Sequence, residues 1–373
     1  MKKLKKVLVV SSLNMGQGGV EGGIRSYVSM FIENREDCTV DLLTVSNGPV
    51  KKIERVNNVY SVEVKGKPVC VFFYLKVIAM ILSKKWRFGE YDAIVHNRYE
   101  DILASFLIQC KKRIVLIHGS GKYAFLFWPK IVAFFYFILE GVVLPRFDRI
   151  YVLLANEHYG VPYYRKRFSR IASRINYLPV PIADYFTKIS KVKISGTFNS
   201  SGKLRIIYFG RVNNKPKNVL LFPEYVAYLK DYLDVQFTIA GDGDDVGVLK
   251  KVIKEKGLEK HFNFLGSCKH VDLPEIVGRH NLTMLLSSFE GICLTTLESI
   301  AVGIPVAAYP VGDIATYVHD MENGVLLDQN ESVANNSQKI IRFLKYFNGM
   351  PSNFETVLKK YKISEAVYEL EIE

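Results

Sequence analysis

Glu290 and Glu298 stand with seven residues between them in FEGICLTTLESIAVGIPVAA, residues 289–308. A helix is expected to open near Thr295 or Thr296, between apolar runs at Leu282–Leu286 and Pro305–Ala308. Gly291 lets a backbone come close to a ligand, and the first turn of the helix offers unpaired amides that suit a diphosphate. Glu298, one turn in, is placed to accept hydrogen bonds from ribose hydroxyls. Taken alone, the same residues also describe a capped surface helix. Two further loops invite a nucleotide reading and fail its strict tests. MGQGGVEGGIRSYV, residues 15–28, holds Gly16, Gly18, Gly19, Gly22 and Gly23, but the third place of a dinucleotide fingerprint is Glu21. His118-Gly119-Ser120-Gly121-Lys122 stops short of a P-loop, with Leu116 at the first glycine place and Tyr123 after the lysine.

These residues need elements to hold them. Short apolar runs alternate with helical stretches along the chain, the pattern of parallel α/β domains. Strands are expected at Lys6–Ser11, Val40–Val45, Ala93–His96, Arg113–His118 and Arg149–Leu153. In the second half they are expected at Leu204–Phe209, Val235–Ala240, Phe262–Leu265, Leu282–Leu286 and Pro305–Ala308. A chain of 373 residues exceeds what one core usually supports. The polar Ser190–Lys203 segment reads as the entry to a second domain. The expected division is 1–189, 190–350 and a C-terminal helix in 351–373 that crosses back to the first domain.

Charge divides the halves. Residues 1–190 hold 29 Lys+Arg against 15 Asp+Glu, a net of +14, and residues 191–373 hold 21 against 22, a net of −1. A basic half implies an anionic partner: nucleic acid, a phosphorylated substrate or an anionic membrane face. No nucleic-acid-binding motif accompanies it. Tyr123–Leu144 approaches membrane-spanning length, but Pro129, Lys130 and Glu140 favour a buried or in-plane interfacial helix. Val71–Arg87 ends in Lys84, Lys85, Trp86 and Arg87, a cluster suited to lipid headgroups or to the basic end of a core helix. The run Val7–Val10 after Lys2, Lys3, Lys5 and Lys6 is too short for an export signal and reads as a strand. Five scattered cysteines suggest a reducing compartment.

The segment from Glu290 to Glu298 resembles the Glu-x7-Glu signature of the retaining GT-B glycosyltransferases of family 4. Gly210-Arg211-Val212-Asn213-Asn214-Lys215-Pro216-Lys217-Asn218 is similar to that family's Gly-Arg…Lys-Gly loop, and Gly241-Asp242-Gly243 to its Gly-Asp-Gly turn by the base site. The resemblance implies a GT-B fold, two Rossmann-like doubly wound domains facing across a cleft. It implies that Glu290 contacts the transferred sugar and that Glu298 binds the ribose. Arg211 and Lys217, with Lys215 as the alternative lysine, would clamp the diphosphate. Gly22 and Gly23 would face the donor phosphates, Gly291, Ile292, Cys293, Leu294 and Thr295 would line the donor, and His118 would reach the reacting sugar. Arg98 is an acceptor-side candidate. Asp242 and Asp244 also spell a metal-binding Asp-x-Asp, but the turn and the cationic clamp account for them, so neither metal nor cofactor is expected. The chain departs from the family at two glycine places, which are Asn218 and Cys293 here. The Cys293 side chain would project where backbone amides approach the donor.

The activity so implied is transfer of a hexose from a nucleotide-diphosphate sugar, a UDP-sugar favoured, with retention of configuration. The acceptor would be a lipid-linked saccharide in building bacterial cell-surface polysaccharide such as lipopolysaccharide, O-antigen or capsule. The expected location is cytoplasmic, peripheral on the inner face of the membrane, with Lys84, Lys85, Trp86 and Arg87 at the lipid. The alternatives are a sugar-nucleotide epimerase on the same fold and an NAD-dependent oxidoreductase.

Overall fold

β1 (Lys5–Ser11) shows why the apolar runs become strands: every side chain from Val7 to Ser11 is buried, as in a strand covered on both faces. The structure, a computed structural model, describes residues 4–12, 37–46, 56–63, 69–118, 125, 129–180, 182–187 and 202–347. Two units divide the chain, one running to Pro181 and the other beginning at Ile182. Ile182 and Phe186 are buried in the second unit's core, upstream of the polar segment. The helix expected in 351–373 lies outside the described residues.

The first unit adds β2 (Cys38–Ser46), β3 (Val56–Glu63), β4 (Tyr91–His96), β5 (Cys110–Ile117), β6 (Arg149–Val152) and β7 (Ile175–Tyr177). All pair in parallel, in the order β3-β2-β1-β4-β5-β6-β7. The second unit holds β8 (Leu204–Phe209), β9 (Val235–Ala240), β10 (Phe262–Gly266), β11 (Leu282–Leu285), β12 (Val306–Ala308) and β13 (Gly324–Leu326), again parallel, in the order β10-β9-β8-β11-β12-β13. Each order reverses once, at β1/β4 and at β8/β11. Crevices at the carboxyl ends of such switch points are where open α/β sheets take ligands.

Three strands were not foreseen, and all three lie at sheet edges. β7 and β13 have three residues each, too few to carry a pattern. β3 is diluted by Asn57 and Asn58 and is pinned by a buried carboxylate instead. Asp41 on β2 accepts from the Asn58 backbone N (3.1 Å), from Asn58 Nδ2 (3.0 Å) and from Tyr91 Oη (2.6 Å).

The apolar stretch at Tyr123–Leu144 contains the helix Lys130–Val143. Among the described residues, no helix is long and apolar enough to cross a membrane. The second stretch forms the helix Val69–Leu82. Trp86 beyond it does not stand free: its ring packs edge-on against Tyr60 (5.5 Å between centroids) and Phe88 (6.2 Å). Lys84, Lys85 and Arg87 are exposed.

Candidate active site

β8 hands over at Gly210 to Arg211 and a polar loop that lies along the turn after β9. Gly210 N donates to Ala240 O (3.0 Å) and Val212 N to Asp242 O (2.9 Å). The two backbones are so close that a Cβ on Gly241 would sit 1.8 Å from Gly210 O. Asp242 Oδ1 accepts from Gly243 N (2.8 Å), and Asp244 Oδ2 accepts from Asn213 Nδ2 (3.1 Å). The turn therefore fastens one loop to the other.

Lys217 reaches from the end of this loop to Glu290, and its Nζ donates to Glu290 Oε1. The same oxygen accepts from Ser287 Oγ at 2.6 Å. Glu290 is only 9% exposed, so its charge requires that pairing. Burial works to lower the Lys217 pKa, and Glu290 more than offsets it, leaving the ammonium held above its usual range. Lys215 is exposed, and its ammonium is not the one that meets Glu290. Arg211 is exposed at the mouth of the loop, its carbonyl accepting from Tyr208 Oη at 2.5 Å.

The two departures from glycine keep glycine's backbone. Asn218 has φ 50 and ψ 39, and Cys293, at the N-terminus of the helix Leu294–Val302, has φ 52 and ψ 69. Both are left-handed, which a side chain tolerates at some cost and asparagine tolerates best. Asn218 gains a bond from its Nδ2 to Leu286 O (2.9 Å). The Cys293 side chain turns into the core instead of towards a ligand. It is 8% exposed, Thr296 Oγ1 donates to its Sγ at 3.3 Å, and burial together with Glu290 pushes the thiol up to about 12. Cys293→Gly is expected to unfold within about 1 kcal/mol of the wild type, whereas the β-branched Cys293→Val should lose about 2 kcal/mol or more. Urea denaturation compares them. Equal losses would mean that the left-handed backbone costs this site nothing.

Glu298 lies one turn into the helix and is buried. His270 Nε2 stands 2.8 Å from its Oε1, and His270 Nδ1 meets Tyr185 Oη. With the proton on Nε2 donating to Glu298, Nδ1 accepts from the tyrosine. Burial opposes the imidazolium, but the hydrogen bond and charge of Glu298 prevail and raise the His270 pKa. Neither His270 nor Tyr185 was singled out from sequence. Their only signal was position, since His270 follows the carboxyl end of β10.

In the first unit the carboxyl ends of β1, β4 and β5 meet in a polar network. His118 Nε2 is 2.9 Å from Asn97 Oδ1, and Asn97 Nδ2 donates to Ser11 Oγ at 3.1 Å. Burial, then the Arg98 charge, pushes His118 down to about 4, so it is neutral at physiological pH. Arg98 pairs with Glu100, and its backbone N donates to Asp101 Oδ2 at 3.1 Å. Asp101, unforeseen, is fully buried, and burial raises it to about 7 despite bonds from Ser12. Gly22 and Gly23 lie outside the described residues.

Residues 192–354 match the family model "Glycosyl transferases group 1". Alpha-monoglucosyldiacylglycerol synthase of Acholeplasma laidlawii is 27% identical over 152 residues, 41% of this chain and 36% of that protein. The chain thus aligns with little more than a third of that relative's length. Sucrose-phosphate synthase of Thermosynechococcus elongatus superposes with a TM-score of 0.75 at 16% identity, covering 98% of this chain and 97% of that one. HepE of Anabaena, solved with UDP and glucose, superposes with a TM-score of 0.70 at 16% identity, covering 98% of each chain. Over residues 192–354, a little under half of its length, the chain is similar to the glycosyl transferases group 1 family, and its two parallel α/β domains have the GT-B fold of these solved structures.

Proposed function

We propose that the protein is a retaining glycosyltransferase that moves a hexose from a nucleotide-diphosphate sugar, a UDP-sugar first among the candidates. The observation that carries this reading is the Lys217–Glu290 pair, set just before the helix whose first turn bears Thr295 and whose inner face bears Glu298. A glycosyl–phosphate bond breaks as a new bond forms from the acceptor hydroxyl, whose proton passes to the leaving diphosphate. Charge grows on that diphosphate, and the Lys217 and Arg211 cations with the helix amides stabilise it. Glu290 orients the sugar rather than attacking it. Glu298 takes the ribose, with His270 and Tyr185 holding its carboxylate in place. These groups need no metal, and none is proposed.

The acceptor falls to the basic first domain. Its charge, and the lipid named as product of the Acholeplasma relative, favour a lipid-linked acceptor at the inner face of a membrane. Building of a bacterial surface polysaccharide is the role that fits best.

Calorimetry with UDP, GDP and ADP tests the donor half. One nucleotide should bind clearly tighter than the others, and Glu298→Ala should weaken it by about 1–3 kcal/mol. Binding and turnover should both survive EDTA. Unchanged affinity in Glu298→Ala would remove the ribose assignment.

A further inference from the structure

The helix Lys130–Val143 is built inside out. Its apolar residues Ile131, Phe134, Phe135, Ile138 and Val142 are 48–69% exposed, while its one acidic residue, Glu140, is fully buried. The exposed set recurs at helical spacing, so it forms a single stripe about 16 Å long. A polar lock on the inner face fixes this orientation. Glu140 accepts from Tyr164 Oη at 2.5 Å and pairs with Arg167, whose guanidinium lies 3.5 Å from the Phe137 ring centroid. Rotating the stripe inward would unpair a buried carboxylate, so the helix cannot hide its phenylalanines without breaking the lock.

The stripe does not stand alone. Successive crossovers from β3 through β7 all run in one direction along the sheet, so right-handedness sets their helices on one face. Helix Val69–Leu82 in that layer leaves Phe72, Leu75 and Leu82 exposed, and Phe106 and Leu107 follow from its neighbour. Apolar area this extensive marks an interaction surface. The segments that make the layer, residues 69–87, 102–108, 129–147 and 161–170, contain ten Lys or Arg and one acidic residue, the buried Glu140, which takes Arg167 and leaves nine cations. Apolar side chains amid cations with no exposed anion complement one occupant, a bilayer with anionic headgroups.

We propose that the outer face of this helical layer docks in the plane of an anionic membrane, with the stripe from Ile131 to Val142 inserted and the Lys84–Arg87 cations lying over headgroups. This rests on the reading of a lipid-linked acceptor and assigns it a surface. Vesicle co-sedimentation of the full chain tests it, with phosphatidylcholine alone and with phosphatidylglycerol added. Wild type should bind the anionic vesicles, less so as salt rises. Phe134→Ser/Phe135→Ser/Ile138→Ser should reduce the bound fraction by about tenfold or more while its far-UV circular dichroism and cooperative thermal melt stay those of the wild type, which shows the first domain folded. Phe135→Trp should shift its emission to the blue when anionic vesicles are added. Undiminished binding by the triple serine variant overturns the proposal. So does a wild type that binds neither vesicle and is a dimer that the serine variant makes monomeric. UDP binding without docking removes the membrane surface and leaves the donor reading standing; docking without UDP binding does the reverse.

Discussion

Lys217→Ala is expected to lower turnover by about 10²–10³-fold, measured as release of nucleotide diphosphate from the sugar donor that calorimetry selects. In the proposed reaction negative charge develops beside this ammonium, which Glu290 already orients, so no reorganisation would be needed as the bond breaks. The substitution does a second thing. It leaves the buried Glu290 carboxylate with Ser287 as its named donor, and an unpaired buried charge costs stability on the order of 3 kcal/mol. Glu290→Gln in the same background should restore the stability but not the rate, because an amide needs no counter-ion. Lys215→Ala should change either quantity little, its side chain being exposed. A severe Lys215→Ala with a mild Lys217→Ala would place the clamp two residues earlier and detach it from Glu290.

Gly241→Ala should be the most damaging single methyl in the second domain. At 1.8 Å from Gly210 O the added carbon has no room, and what it meets is backbone rather than a side chain that can turn away. The loop carrying Arg211 and the turn carrying Asp242 would have to part. That breaks the bonds from Gly210 N to Ala240 O and from Val212 N to Asp242 O. A loss of about 4 kcal/mol or more is expected, together with loss of nucleotide binding. Gly247 supplies the control, since it lies in the helix Val246–Glu255 with nothing within 4 Å of its would-be Cβ. Gly247→Ala should stabilise by about 0.5–1 kcal/mol through helix propensity. Thermal melts of both variants decide it. Equal melting temperatures would mean that the two loops do not meet as described.

The central strands were legible because burial on both faces makes them continuous apolar runs. β8 and β9 begin and end where the sequence puts them. The edge strands were not, because short or asparagine-bearing segments owe their pairing to the neighbour, as β3 does to Asp41. In the site, Arg211, Lys217, Glu290 and Glu298 stood out by resemblance to a family's motifs, which favoured Lys217 but kept Lys215 as the alternative, because a sequence pattern does not say which of two lysines turns inward. His270 and Tyr185 come 28 residues and more before Glu298 in the chain, and only the fold brings them to its carboxylate. The helix Lys130–Val143 was legible as apolar and as a helix. Which face looks outward depends on Tyr164 and Arg167, 24 and 27 residues after Glu140. No local pattern contains that.

Cys293 has a practical consequence. With its thiol pushed up to about 12, Cys293 carries very little reactive thiolate at neutral pH, and the sulfur is shut inside the core. Cys38, Cys110 and Cys268 are each partly accessible. An alkylating reagent will therefore mark those three first and reach Cys293 only when the start of the helix Leu294–Val302 comes apart. The lag before that adduct forms is a clock for the opening of the donor half, and a nucleotide bound against that helix should slow it.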